Sequence, residues 1–132
     1  MSDLKLGRAR PMSPHLTIYR LTMTMMMSMA HRVTGAALYL GTLLLAWFLI
    51  AASMNSATFA VASGFMHSWL GMLILFGFTW ALMHHLLGGV RHALWDYGWG
   101  LDAPEREWLA IGTLAGGLGL TLVVWLIYGI WG

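Results

Sequence analysis

His85 opens the run His85-x-x-x-Gly89-x-Arg91-His92-x-x-x-Asp96 at the end of a stretch, residues 33–90, that contains no Asp, Glu, Lys or Arg. An ionisable side chain in hydrocarbon is costly, and it persists where it pairs, relays a proton or binds something. His85, Gly88, Gly89 and His92 are spaced at offsets of three, four and seven, which puts them on one face of a helix. Glycine beside a ligand histidine leaves room for a flat macrocycle or for another backbone. Arg91 follows six residues after His85, roughly 9 Å along a helix axis, where the propionates of a haem on His85 would reach the aqueous edge. The chemistry open to this set is axial ligation of a haem iron. The residues alone leave other readings open: His85 as an interhelical hydrogen-bonding group or proton relay, the glycines as packing positions, and Arg32 and Arg91 as snorkelling anchors.

A second cluster, Ser28-Met29-Ala30-His31-Arg32, stands at the mouth of the first apolar span, at the same depth as Arg91. Arg32 and His31 could complete a propionate shell together with Arg91. Ser28 and Arg32, four residues apart, share a face that can hydrogen-bond a quinone carbonyl. A low-spin electron-transfer haem takes two axial ligands, and this chain has no good second one. His67 lies 18 residues before His85, roughly 27 Å away on a continuous helix. His31 is shallower, and His84 points to a different face. The second ligand is therefore expected from another polypeptide. The methionines Met23, Met25, Met26, Met27 and Met29 read either as a metal-transport stripe or as an adaptable apolar surface beside a mobile ligand.

These groups must be positioned by membrane helices. The 132 residues are 59% hydrophobic and 9% charged, with a mean hydropathy of +0.72. That is an integral membrane composition rather than a soluble one. The expected fold is all-α, a single membrane-anchor domain over residues 1–132, with a polar, irregular N-terminal arm (1–28). Three transmembrane helices are expected at about 29–52, 59–90 and 108–131, each long enough to supply the roughly 20 apolar residues a bilayer needs. The second is over-long, so it is expected to tilt or project. Asn55-Ser56-Ala57-Thr58 marks the polar break between the first two. Glycines 112, 116, 117 and 119 include a Gly112-x-x-x-Gly116 spacing suited to close helix association.

Cysteine is absent, which excludes disulfides, thiolate zinc sites and iron–sulfur ligation within the chain. No nucleophilic triad, phosphate loop or carboxylate pair is present. The net charge of +2 is carried by few basic residues beside the spans, so no nucleic-acid role follows. Lys5, Arg8, Arg10, Arg20 and Arg32 sit at or before the first span, and Arg91 and Arg106 between the second and third. The positive-inside rule then places the N-terminus and the 91–107 loop in the cytoplasm, or on the matrix side in a mitochondrion, and the C-terminus outside. Trp95, Trp99 and Trp108 fit an inner aromatic belt and Trp131 an outer one.

Three stretches carry a resemblance. Arg10-Pro11-x-Ser13-Pro14-His15-Leu16-x-Ile18-Tyr19, Ser28-x-x-His31-Arg32-x-Thr34-Gly35 and His85-x-x-x-Gly89-x-Arg91-His92-x-x-Trp95-Asp96-x-Gly98 resemble the cytochrome b membrane-anchor subunits of succinate dehydrogenase, complex II, in the mitochondrial and alphaproteobacterial branch. The resemblance covers nearly the whole chain, the third span matching only in kind. It implies that His85 is the axial ligand of a haem b shared with a second anchor subunit. It implies that Ser28 and Arg32 line a ubiquinone site at the junction with an iron–sulfur subunit, and that His31, Arg32 and His92 lie near the haem propionates. Electrons from succinate would arrive through a flavoprotein and that iron–sulfur protein to reduce ubiquinone, and the chain would have no activity alone. Thr22 stands where the family often has a proline. The expected location is a bacterial inner membrane in preference to a mitochondrial one, since no presequence is visible. Two rivals from other classes are a haem-free structural anchor, which gives no reason for the His85 and Arg91 spacing, and a methionine-lined metal transporter, which would need polar groups at mid-membrane on several helices.

Overall fold

A computed structural model describes residues 18–131, with the side chain of Trp131 excepted. Four helices follow in order: α1 (Met23–Met54), α2 (Ser56–His67), α3 (Trp69–Asp96) and α4 (Ala103–Trp131). α1, α3 and α4 are each long and apolar enough to cross a membrane. Helices are the form such segments must take, because hydrocarbon offers no partner to an unpaired backbone group. The all-α, three-span, multi-pass architecture expected from the sequence is therefore present.

The element boundaries differ from the expectation in three places. The irregular arm expected over 1–28 ends at Thr22, and residues 23–28 are helical. Thr22 is extended and caps α1, its hydroxyl accepting from the Met25 N–H at 3.4 Å. No proline follows it in this segment to break the helix. The remainder of the arm, residues 1–17, lies outside the described residues. At the other side, α4 begins at Ala103 rather than near 108. Gly98 and Gly100, at φ +79° and +73°, make the tight turn before it, and the Trp95 indole N–H ties the Gly100 carbonyl down at 3.0 Å.

The third difference concerns the over-long second span, which is two helices rather than one tilted helix. Ser68 is extended (φ −69°, ψ 158°) and caps α3 by accepting from the Gly71 N–H at 3.1 Å, while its hydroxyl donates to the Phe65 carbonyl at 2.6 Å. Serine offers the backbone an alternative to continued helix, and here the alternative wins. Gly71 permits the sharp break, since a Cβ there would meet the Phe65 carbonyl oxygen and lie 2.9 Å from the Met66 backbone. α2 has 12 residues, about 18 Å of helix, too short to cross. His67 accordingly ends α2 and is not on the helix that carries His85. Ser68→Ala should destabilise the fold by about 1 kcal/mol through loss of this cap, visible as a lowered thermal midpoint in detergent.

α3 is the centre of the bundle, packed most extensively on α4 and then on α1, with α2 lying against α1 and α3. Small residues make the interfaces. α1 turns Met27, Thr34 and Gly41 inward at a seven-residue spacing, α3 turns in Ala81, His84, Gly88 and Arg91, and α4 turns in Ala110, Thr113, Gly117 and Thr121. This is the small-residue packing that substitutes for a hydrophobic driving force between helices in lipid. The hydroxyls of Thr34, Thr113 and Thr121 are spent on their own helix, on the carbonyls of Ala30, Leu109 and Gly117. The closest approach of α4 is at Gly117, where a Cβ would lie 3.0 Å from the His84 Cα, with Gly116 beside Leu87. Gly112 meets nothing within 4 Å, so only the second half of the expected Gly112-x-x-x-Gly116 pair is a packing position. Large apolar side chains such as Leu43, Leu49, Leu126 and Ile130 are turned outward, as lipid or a partner helix requires.

Candidate functional site

His85 is half-buried on the α1 side of α3. Its Nδ1 lies 3.0 Å from the carbonyl oxygen of His31 and 3.4 Å from the Thr34 hydroxyl. The carbonyl can only accept, and the Thr34 proton is committed to the backbone carbonyls of Ala30 and His31 at 2.9 and 3.0 Å. Nδ1 therefore carries the ring proton and donates it, which leaves the lone pair on Nε2. A histidine that donates one ring N–H to a carbonyl is held in one tautomer and one orientation, the usual support of a metal ligand.

The rest of the setting follows from α1. The His31 ring stacks on the His85 ring, centroids 4.0 Å apart and 8° from parallel, and His92 meets His31 edge-on at 5.2 Å. A Cβ on Gly88 would run into the His31 ring, so Gly88 lets that ring lie between the helices, where its Nε2 is buried without a hydrogen-bond partner. A Cβ on Gly35 would stand 2.9 Å from the His85 Cε1, so Gly35 clears the space under the His85 ring. Gly89 differs: it is exposed and meets nothing within 4 Å. That is the open flank of the helix beside His85.

The structure thus brings His31, His85 and His92 together and sets Arg32, exposed, one residue after His31. Arg91 makes no hydrogen bond to these histidines among the described residues. Six residues advance a helix by about 600°, so Arg91 lies about 120° round α3 from His85. It falls instead with His84, seven residues before it, on the face toward α4. Only 2% of Arg91 is exposed, and its guanidinium lies 5.2 Å from the centre of the Trp95 ring. His84 is fully enclosed, stacked on Trp80 at 5.3 Å, with neither ring nitrogen hydrogen-bonded. His84 therefore has no outward path for ligation, which leaves His85 as the ligand candidate of the adjacent pair.

Ser28 and Arg32 line one cleft of about 620 Å³, walled by Tyr19, Met25, Met26 and Met29. The methionines spread around the helix: Met27 is buried, Met23 and Met25 half-buried, Met26 and Met29 exposed. Met25, Met26 and Met29 wall the cleft, and the five do not make a single conducting stripe. Among the described residues no group of three or more His, Asp or Glu side chains is disposed around a bare metal ion. Thr34 and Gly35 were not singled out by residue chemistry alone. Their offsets of three and four from His31 were the available signal, since that spacing places them on its face.

Comparison with known proteins places the chain among succinate dehydrogenase/fumarate reductase transmembrane subunits. The family model described as succinate dehydrogenase/fumarate reductase transmembrane subunit matches residues 7–128. The succinate dehydrogenase cytochrome b556 subunit of Paracoccus denitrificans is 40% identical over 131 residues, covering 97% of this chain and all of that protein. The Rickettsia felis cytochrome b556 subunit is 31% identical over 117 residues, covering 89% of this chain and 91% of that one. The mitochondrial cytochrome b560 subunit of Sus scrofa is 41% identical over 102 residues, 76% of this chain and 60% of the longer mitochondrial protein.

Proposed function

The chain belongs to the succinate dehydrogenase/fumarate reductase transmembrane subunit family, and from that we propose that it is the cytochrome b anchor of a succinate:ubiquinone oxidoreductase, holding one haem b jointly with a second anchor subunit. The observation that carries this reading is the His85 imidazole, locked by Nδ1–H donation to the His31 carbonyl with its Nε2 lone pair free. The residues fit the group: a neutral, oriented imidazole beside a bare glycine flank at Gly89 is what ligation of a planar macrocycle requires. When bound, the haem supplies a one-electron site within the membrane. Arg32 and His92, both exposed near His31, would hold its propionates. Arg91, turned to α4, does not join that shell in this reading.

The cleft bearing Ser28 and Arg32 is the proposed ubiquinone site. Reduction to the quinol takes two electrons and two protons, and negative charge develops on the carbonyl oxygens before the protons arrive. Arg32 would stabilise that charge, and the Ser28 hydroxyl would hold the same carbonyl by a hydrogen bond. The electrons come from succinate through the flavoprotein and iron–sulfur subunits, which this chain anchors. The proposed setting is a bacterial inner membrane with the N-terminus cytoplasmic, so that the cleft at the start of α1 meets the iron–sulfur subunit there.

Affinity purification of the tagged chain from its own membranes in mild detergent tests the assignment. Succinate oxidation by a soluble dye should accompany it, and a chain recovered intact with other subunits but without that activity would exclude the role. Gly35 offers a finer test. Gly35→Val should displace the His85 ring at a packing penalty of about 1–3 kcal/mol, lowering the haem-to-protein ratio several-fold. Gly64→Val, at a helix position with no neighbour within 4 Å, should leave it unchanged.

A further inference from the structure

We propose that the cleft between α3 and α4 at the Arg91 level is a binding site for an anionic phospholipid, with the Arg91 guanidinium on the phosphodiester. Three observations converge there. Arg91 is 2% exposed, and its Nε and Nη1 are buried without any hydrogen-bond partner. A guanidinium stays charged in proteins, and a buried charge without a counter-ion is strongly unfavourable. Among the described residues no carboxylate pairs with it. Trp95 offers only a ring face, and the Thr113 hydroxyl is spent on the Leu109 carbonyl at 2.7 Å.

Arg91 also lines a cleft of about 180 Å³ whose other walls, Thr113 apart, are apolar or glycine, among them Leu87, Leu94, Leu109 and Trp108. The floor of the cleft is Gly112, where a Cβ would meet nothing within 4 Å. The cleft lies near the end of α3 and the start of α4, with Trp99 and Trp108 more than two-thirds exposed, as interfacial tryptophans at headgroup level are. A cation at that depth with an apolar trough beside it matches a phosphate followed by glycerol and acyl chains. Basic pockets between membrane helices take anionic headgroups in this way, and arginine binds phosphate oxygens bidentately. A free phosphate would satisfy the guanidinium but not the trough.

The test is native mass spectrometry of the protein purified with its accompanying subunits, delipidated and titrated with phosphatidylglycerol, phosphatidylcholine or inorganic phosphate. The wild-type assembly should retain phosphatidylglycerol in preference to phosphatidylcholine. Both Arg91→Gln and Gly112→Leu should weaken retention by about tenfold or more, as expected for losing a charge-assisted contact or its access. Gly112→Leu fills the trough and leaves the guanidinium in place, and the first carbon it adds meets no neighbour within 4 Å, so it decides the matter if Arg91→Gln does not assemble. Retention unchanged in Gly112→Leu would overturn the proposal, as would displacement of the lipid by millimolar inorganic phosphate, which would mark a simple anion site. So would an Arg91→Gln protein that keeps its lipid but shows an altered haem spectrum, since the guanidinium would then serve the haem.

Discussion

Replacing His85 with alanine should leave an assembled enzyme that contains less than about a tenth of its haem, because loss of an axial ligand removes the bond that holds the iron. The substitution takes away the Nε2 lone pair and the Nδ1–H donor to the His31 carbonyl, a bond of 3.0 Å. The carbonyl keeps the Thr34 hydroxyl at 3.0 Å as a donor. The helix interface is built from Gly35, Gly88 and Thr34 rather than from the His85 ring alone, so α1 and α3 should stay paired. Haem content per assembled complex, with succinate oxidation by a soluble dye as the control for assembly, is the measurement. His85→Gly should recover part of the haem when imidazole is supplied from solution, a response that a packing defect would not give. A normal haem content in His85→Ala would end the ligand assignment.

Arg32→Ala should lower succinate–ubiquinone reductase activity by about a hundredfold, the usual scale for removing one donor aimed at developing oxyanion charge. Arg32 is exposed and lines the cleft at the start of α1, so its truncation should disturb the fold little. Succinate oxidation by a soluble acceptor should persist, because that route ends before the membrane. Ser28→Ala should show the same pattern at smaller amplitude, since a neutral hydroxyl stabilises charge less than a guanidinium does. Equal loss of both activities in Arg32→Ala would mean failed assembly and would remove Arg32 from the quinone site.

His85 stood out in the sequence because it is an ionisable ring near the end of a charge-free run of 58 residues (33–90), and the family that three spaced motifs suggested is the one the comparisons show. The break at Ser68 was not legible, because serine barely lowers a hydropathy average over 20 residues, whereas one capping hydroxyl and a glycine at position 71 decide the backbone. The direction of Arg91 was hard to read for a different reason. Its distance along the helix axis suited a propionate, but its angle about the axis, shared with His84, turns it to α4. Glycine spacing likewise marked α4 as a close-packing helix without telling which glycines meet a neighbour. The phase of Ala110, Thr113, Gly117 and Thr121 decides that, and it sets Gly112 outside.

The measurement that bears most directly on the account is a dithionite-reduced minus oxidised optical spectrum of the intact multi-subunit assembly purified around this chain. The free Nε2 of His85 predicts a low-spin b-type signal in a preparation that still oxidises succinate. A preparation with every subunit present, active with a soluble acceptor and lacking any haem band, would contradict it and reduce the histidine cluster to helix packing.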